Sequence, residues 1–178
     1  QGTLVNLRPL EREDLGLLVT WRNDPKIREH FFSTFPFSRS GQDAWFSNLL
    51  TRDDQRMFII ETKEGKAVGT IGLDYIDFKN QRAEFGNILI GESEYLGKNL
   101  ATDGTLALLK FAFEEMNLNR VYLEVYAENG RARRLYDKCG LKVEGVLRQA
   151  YYHQGRFQDT VLMSILRDDF HHPLGKSS

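Results

Sequence analysis

Residues 94–102 read Glu-Tyr-Leu-Gly-Lys-Asn-Leu-Ala-Thr, a stretch suited to holding phosphate oxygens. A β-rich run over 83–90 leads into it, and a long apolar helix follows. The first turn of a helix presents N–H groups without intrahelical partners and the positive end of its dipole. Gly97 lets backbone approach a ligand closely, and Lys98 adds a positive charge. Many strand-to-helix turns hold a glycine and a lysine and bind nothing, so this turn alone leaves both readings open. Other chemistries find little support. His30, His153, His171 and His172 show no metal-ligand spacing. Cys139 shares a helical face with Ala132, Leu135 and Tyr136, the setting of a small core residue rather than a nucleophile. No Gly-x-Ser-x-Gly elbow, Walker loop or dinucleotide fingerprint is present.

The elements that must position this turn follow from periodicity and from turn residues. The chain has 178 residues, 41% hydrophobic and 28% charged, with a formal net charge of -1. That composition fits one soluble domain over 1–170, followed by a polar tail over 171–178. No basic field points to nucleic acid, and no apolar run is long enough for a membrane. The first four residues lack the pattern of a signal peptide, and one cysteine fits a reducing cytoplasm. Strands are expected over 3–8, 56–62, 67–76, 83–90, 121–125, 141–152 and 157–166. Helices are expected over 11–21, 40–50 and 97–116, and from Asn129 to a close at Gly140. In the third of these, Asp103, Lys110, Glu114 and Asn117 form one narrow polar stripe, so the helix is covered on most sides. The aromatic-rich stretch 27–37 has no clear period. The sum is an α/β (α+β) chain with a mixed, mostly antiparallel sheet flanked by helices.

Two segments resemble the GNAT superfamily of N-acetyltransferases. Leu96-Gly97-Lys98-Asn99-Leu100-Ala101 is similar to its pyrophosphate loop, Gln/Arg-x-x-Gly-x-Gly/Ala. Leu96 stands in place of Gln or Arg, and Asn99 in place of a glycine; Lys98, Ala101 and Thr102 match the common Gly-Lys-Gly-x-Ala-Thr form. Asparagine is the residue that best tolerates positive φ after glycine. Asn129, Ala132, Tyr136 and Gly140 fall at the spacing of the family's Asn-x-x-Ala-x-x-x-Tyr-x-x-x-Gly-Phe segment, with Leu141 for Phe. In the N-terminal half, residues 7–15 and Arg82-Ala83-Glu84-Phe85 resemble the branch of spermidine and ribosomal-protein N-terminal acetyltransferases.

The resemblance implies a GNAT fold and transfer of an acetyl group from acetyl-CoA to a primary amine by direct attack, with no metal. Residues 96–102 (Leu96, Gly97, Lys98, Asn99, Leu100, Ala101 and Thr102) would hold the diphosphate. A backbone N–H at Ile88, Leu89 or Ile90 would meet the acyl oxygen, and Gly86 would help that strand bulge. Asn129 would contact the pantetheine arm or simply cap its helix. Arg131, Arg133, Arg134 and Lys138 would be a solvated face, or would reach the 3′-phosphate. Tyr136 would protonate the departing thiolate, since a phenol of pKa about 10 suits a thiol of about 8.5. For the base that deprotonates the amine, Glu84 comes first, then Glu124, then Glu29, each of which could also be a solvated or paired carboxylate. Trp21, Phe31, Phe32, Phe35, Tyr151 and Tyr152 would wall an acceptor pocket or build core. Trp21-Arg22-Asn23-Asp24-Pro25 also resembles members that acetylate aminosugars, antibiotics or protein N-termini. A small-molecule amine and a protein N-terminus both remain as acceptors, and strand edges would allow a homodimer. The rival reading is a non-catalytic acyl-CoA sensor.

Overall fold

A computed structural model describes residues 1–32 and 35–171. Seven strands form one sheet in the order β1-β2-β3-β4-β5-β7-β6. They are β1 (Val5–Pro9), β2 (Arg56–Thr62), β3 (Ala67–Asp77), β4 (Arg82–Ile90), β5 (Arg120–Tyr126), β6 (Lys142–His153) and β7 (Arg156–Leu166). The β4–β5 pair is parallel and every other neighbouring pair is antiparallel. The expected mixed, mostly antiparallel sheet is therefore what forms. The polar tail expected over 171–178 lies outside the described residues except for His171.

Helices cover both faces. On one lie α1 (Leu15–Asn23) and α3 (Arg39–Leu49), with the short α2 (Pro25–Arg28) between them in sequence. Leu15, Leu18, Trp21, Phe46 and Leu49 pack there against Met57, Ile59 and Leu89 of the sheet. On the other lie α4 (Leu100–Lys110), continued by a π-helical turn (Phe111–Glu115), and α5 (Gly130–Lys138). Leu108, Leu109, Ala112 and Phe113 pack there with Val68, Ile71, Ala83, Val121 and Leu123. β3 is buried continuously from Val68 to Leu73, as a strand covered on both faces must be. Asp103, in the first turn of α4, accepts the N–H groups of Thr3, Leu4 and Val5 at 3.0, 2.8 and 3.0 Å, tying the chain's start to that helix.

The feature that positions the site is a fork in the sheet. β4 and β5 pair only at Arg82–Arg120, Ala83–Val121 and Glu84–Tyr122. Beyond Glu84, β4 stays with β3, and β5 stays with β7 along its whole length. A bulge sharpens the divergence. Thr70 faces Leu89 and Gly72 faces Gly86, so β4 carries one residue more than β3 across this step. Asn87 takes up the extra residue with φ 55°. The bulge anticipated beside Gly86 is present, one residue further on.

Candidate active site

The turn before α4 opens into a groove of about 210 Å³. Its lining brings together Ile90, Gly97, Asn99, Leu100, Ala101, Thr102 and Arg131 from the residues singled out by sequence. Gly97 and Asn99 both lie in the left-handed region, at φ 78° and 61°. Neither can continue a helix, which is why α4 begins at Leu100 and not at residue 97. The Asn99 side chain caps nothing, and its carbonyl accepts from Asp103 N–H at 3.0 Å. Left-handed turn residues just ahead of a helix's first N–H groups make a start that suits an anion.

Other expected contacts fall elsewhere. Lys98 turns its ammonium over the Tyr95 ring, 4.8 Å from the centroid, and does not line the groove. Leu96 is exposed. Leu89 is buried among Leu18 and Trp21 on the far face, so its side chain is spent on core. Asn129 caps α5, its side-chain oxygen accepting from Ala132 N–H at 3.0 Å. The basic face of α5 is divided: Arg131, Arg134 and Lys138 line the groove, whereas Arg133 donates to Ala127 O at 3.2 Å. The spacing of three and then four residues puts the first trio on one helical face. Arg134→Ala is expected to weaken acetyl-CoA binding about 10-fold, the worth of one charge-assisted hydrogen bond. Titration calorimetry at low and high salt checks it, because the loss should shrink as salt rises.

Tyr136 projects from α5 to the base of the fork. Its ring meets Phe85, the first β4 residue past the last β4–β5 pair, edge-on at 5.8 Å. It is 7% exposed, and its hydroxyl makes no hydrogen bond among the described residues. Burial first, then the nearby Cys139, pushes the phenol above its ordinary value, so it stays protonated. Cys139 is buried, and that pushes its thiol up to about 12, too high for a nucleophile at neutral pH.

The opposite face of the fork is acidic. In the ladder Asp74 faces Glu84, and Glu84 faces Tyr122. Alternation along β5 puts Glu124 on the same face as Tyr122, and puts Val121 and Leu123 on the Tyr136 side. Burial raises the Glu84 carboxyl, and the charges of Asp74 and Glu124 raise it further. Asp74 is raised as well, by burial, against the pull of a Gln55 hydrogen bond. Glu124 accepts from Thr160 Oγ1 at 3.1 Å. None of the three carboxylates joins an ion pair among the described residues. Glu29, by contrast, is exposed beside His30 at 3.6 Å.

Aromatic rings adjoin this acidic face. Phe32 stacks on Tyr151 at 4.0 Å and meets Tyr126 edge-on at 4.7 Å, and His153 lies 5.3 Å from Tyr126. Trp21 is not among them; it is core, and its Nε1 donates to Glu92 at 3.0 Å. Tyr152 meets Phe157 edge-on instead, at 5.2 Å, and Phe35 is exposed.

A family model described as the acetyltransferase (GNAT) domain matches residues 5–142. The chain belongs to the GNAT acetyltransferases. With that family comes the reaction class, an N-acetyltransferase that takes its acyl group from acetyl-CoA. The spermidine N(1)-acetyltransferase of Vibrio cholerae is 30% identical over 166 residues, covering 93% of this chain and 95% of that protein. The spermidine N(1)-acetyltransferase of Escherichia coli strain K12 is 30% identical over 167 residues, covering 93% and 88%. A crystal structure of the Vibrio cholerae spermidine N-acetyltransferase in complex with CoA and spermine aligns with a TM-score of 0.89 at 30% identity, covering 94% of this chain and 98% of that one. No helix among the described residues is long and apolar enough to cross a membrane.

Sequence reasoning missed several groups that this GNAT site contains. Leu135 lines the groove. Asp74, Tyr122 and Tyr126 join the acidic face and its aromatic border only through cross-strand register, which no local pattern shows.

Proposed function

We propose that this chain moves an acetyl group from acetyl-CoA directly to the primary amine of a small cationic molecule, with Tyr136 as general acid and Glu84 as general base. The observation that carries the reading is the fork, with unneutralised carboxylates on one face and a protonated phenol on the other. Main-chain groups on the β5-facing edge of β4 lack a strand partner beyond Glu84 among the described residues. Gly91 N–H pairs with Val68 O at 2.8 Å, so by alternation the N–H of Ile90 turns toward the gap. An amide-bearing pantetheine arm fits there as a substitute strand, its diphosphate in the groove before α4 and its thioester level with the bulge.

The reaction then divides by face. The amine arrives protonated, drawn to Asp74, Glu84 and Glu124 and bordered by Phe32, Tyr126 and Tyr151. Glu84 takes the proton, directly or through water, and the freed lone pair attacks the acyl carbon. The carbon–sulfur bond breaks as Tyr136 donates its proton to sulfur on the other side, and the nitrogen's remaining extra proton, passed through water, restores the phenol while Glu84 releases its own to solvent. Residues 1–170 act as one catalytic unit in the cytoplasm. Polyamines suit this acidic and aromatic acceptor site, and the spermidine acetyltransferases named above support that choice over a protein N-terminus.

A thiol-release assay with acetyl-CoA tests the reading against a panel of polyamines, N-terminal peptides and aminosugars. Release with a polyamine is expected. Tight CoA binding with no release from any amine would instead establish a non-catalytic sensor. The pH profile checks the base. Because Glu84 must be ionised and its carboxyl is raised, the rate should fall with acid at a pH above the ordinary glutamate value of about 4.3. Glu124→Gln removes one of the like charges that raise it, so the acid limb should move to lower pH. Glu84→Gln should lower kcat about 10²-fold and abolish that limb.

A further inference from the structure

Three consecutive residues at the end of α1 each reach a different part of the chain. Trp21 packs beside Gly91 so closely that any side chain there would run into its ring, and its Nε1 bonds Glu92. Asn23 clamps the main chain of Phe37, donating to its carbonyl and accepting from its N–H, both at 2.8 Å. Arg22 lies between them, 7% exposed, and its Nη2 donates to Asn87 Oδ1 at 2.9 Å. Its guanidinium sits 5.2 Å from the Phe37 ring centre and 5.7 Å from that of Trp45.

The bond from Arg22 ends on the residue that makes the β4 bulge. Asn87 donates onward from Nδ2 to Asp74 Oδ2 at 2.7 Å, and Gln55 donates to the other Asp74 oxygen. Thr70 Oγ1 donates to the Asn87 carbonyl at 2.7 Å. Every hydrogen-bonding function of this left-handed residue that these contacts touch is held from outside its own strand. A non-glycine residue at φ 55° is strained and persists where surrounding bonds over-determine it. The torsions of Asn87 set the direction of the N–H groups that follow, because a change of one residue in a strand turns each group to the other side.

The guanidinium is costly to bury. Its Nε has no acceptor among the described residues, and its one hydrogen-bonded partner is a neutral amide. A methionine or leucine would anchor α1 to the sheet at less cost, whereas the guanidinium adds a hydrogen bond to Asn87.

We propose that Arg22, Asn87 and Asp74 are positioning residues that set the β4 bulge, so that a main-chain N–H beyond it meets the acyl oxygen in the fork. The inference rests on reading the fork as the site of acetyl transfer. It also gives the Trp21-Arg22-Asn23 segment a role on the donor strand.

The test compares wild type, Asn87→Asp and the exchanged pair Asn87→Asp/Asp74→Asn. Aspartate keeps the tolerance for positive φ and still accepts from Arg22, but it sets a carboxylate against Asp74. The exchange restores the chain in reverse: Asn at 74 donates to Asp at 87 and accepts from Gln55. The readout is the isotope-edited infrared carbonyl band of protein-bound acetyl-CoA, with its dissociation constant by calorimetry. Wild type should shift the band to lower frequency relative to free acetyl-CoA. Asn87→Asp should lose most of that shift while the dissociation constant changes less than about threefold, since uniform binding groups are untouched. The exchanged pair should recover the shift. Should Asn87→Asp fail to fold, the exchanged pair alone decides, a wild-type band supporting the inference and a band at the free position overturning it. A wild-type shift retained in a folded Asn87→Asp protein overturns it too. Failure of wild type to bind acetyl-CoA would sink the acetyl-transfer reading and this inference together, whereas binding with one unvarying band sinks this inference alone.

Discussion

Tyr136→Phe is expected to lower kcat by about 10²- to 10³-fold while leaving the dissociation constant of acetyl-CoA within about threefold of wild type. The ring stays, so the packing against Phe85 and the α5 face stays. The hydroxyl bonds nothing among the described residues, so removing it leaves no orphaned partner and should change stability by no more than about 0.5 kcal/mol. What it removes, on the proposed reading, is the proton donor on the side where the thiolate departs. Because burial raises the phenol above its ordinary value of about 10, it remains protonated throughout the assay range. The alkaline limb of the wild-type profile should therefore not come from Tyr136, and Tyr136→Phe should leave that limb where it was. Stopped-flow thiol release and calorimetry check these points. A kcat within threefold of wild type would remove Tyr136 from the reaction.

The second large effect is expected at the phosphate turn. Gly97→Val should raise the dissociation constants of acetyl-CoA and free CoA together, by about 30-fold or more. Gly97 stands at φ 78°, where a β-branched side chain is strained by about 1–3 kcal/mol. The space around a Cβ at Gly97 is open, so the effect acts through the backbone and not through a clash with neighbouring protein. To escape the strain the turn must rotate, and its N–H groups would no longer converge on the diphosphate that the proposed reading places there. Asn99→Gly makes the contrast. Asn99 already holds φ 61° without any capping bond, so glycine there should keep or slightly tighten binding. Equal affinity for CoA in wild type and Gly97→Val would show that this turn does not grip the diphosphate.

Much of the frame was legible in the chain before any coordinates. β2, β3 and β7 fall within a residue of the expected runs, because alternation and the turns at Glu64-Gly65 and Gln154-Gly155 mark their ends. α4 is legible by its apolar girth, yet it starts three residues later than the pattern predicts. Gly97 and Asn99 are turn residues by type, but only their torsions show that both are left-handed. The tyrosine segment was legible by its spacing, and α5 carries it as expected.

What the sequence hid depends on partners far along the chain. Arg22 and Asn87 are 65 positions apart, and Trp21 and Glu92 are 71 apart. Trp21 therefore resembled a pocket wall when it is a strut between α1 and the end of β4. Burial raises the Glu84 carboxyl, and Asp74 on β3 and Glu124 on β5 raise it further, neighbours that only the register supplies. The fork itself has no local signature: β4 and β5 are both well-formed strands, and nothing in either says that their pairing stops after Glu84. Within the aromatic stretch 27–37, Phe32 reaches the rings beside the acidic face and Phe37 locks onto Asn23, a division that composition alone could not make.

The central claim is that the fork holds the thioester between a carboxylate face and a phenol face. A crystal structure of the protein with bound CoA tests it most directly. The expected result has the diphosphate on the N–H groups of the turn before α4, the pantetheine amides against β4, and the sulfur within about 3.5 Å of the Tyr136 hydroxyl. A sulfur outside the gap between β4 and β5, or a Tyr136 ring still closed off behind Phe85, would contradict it.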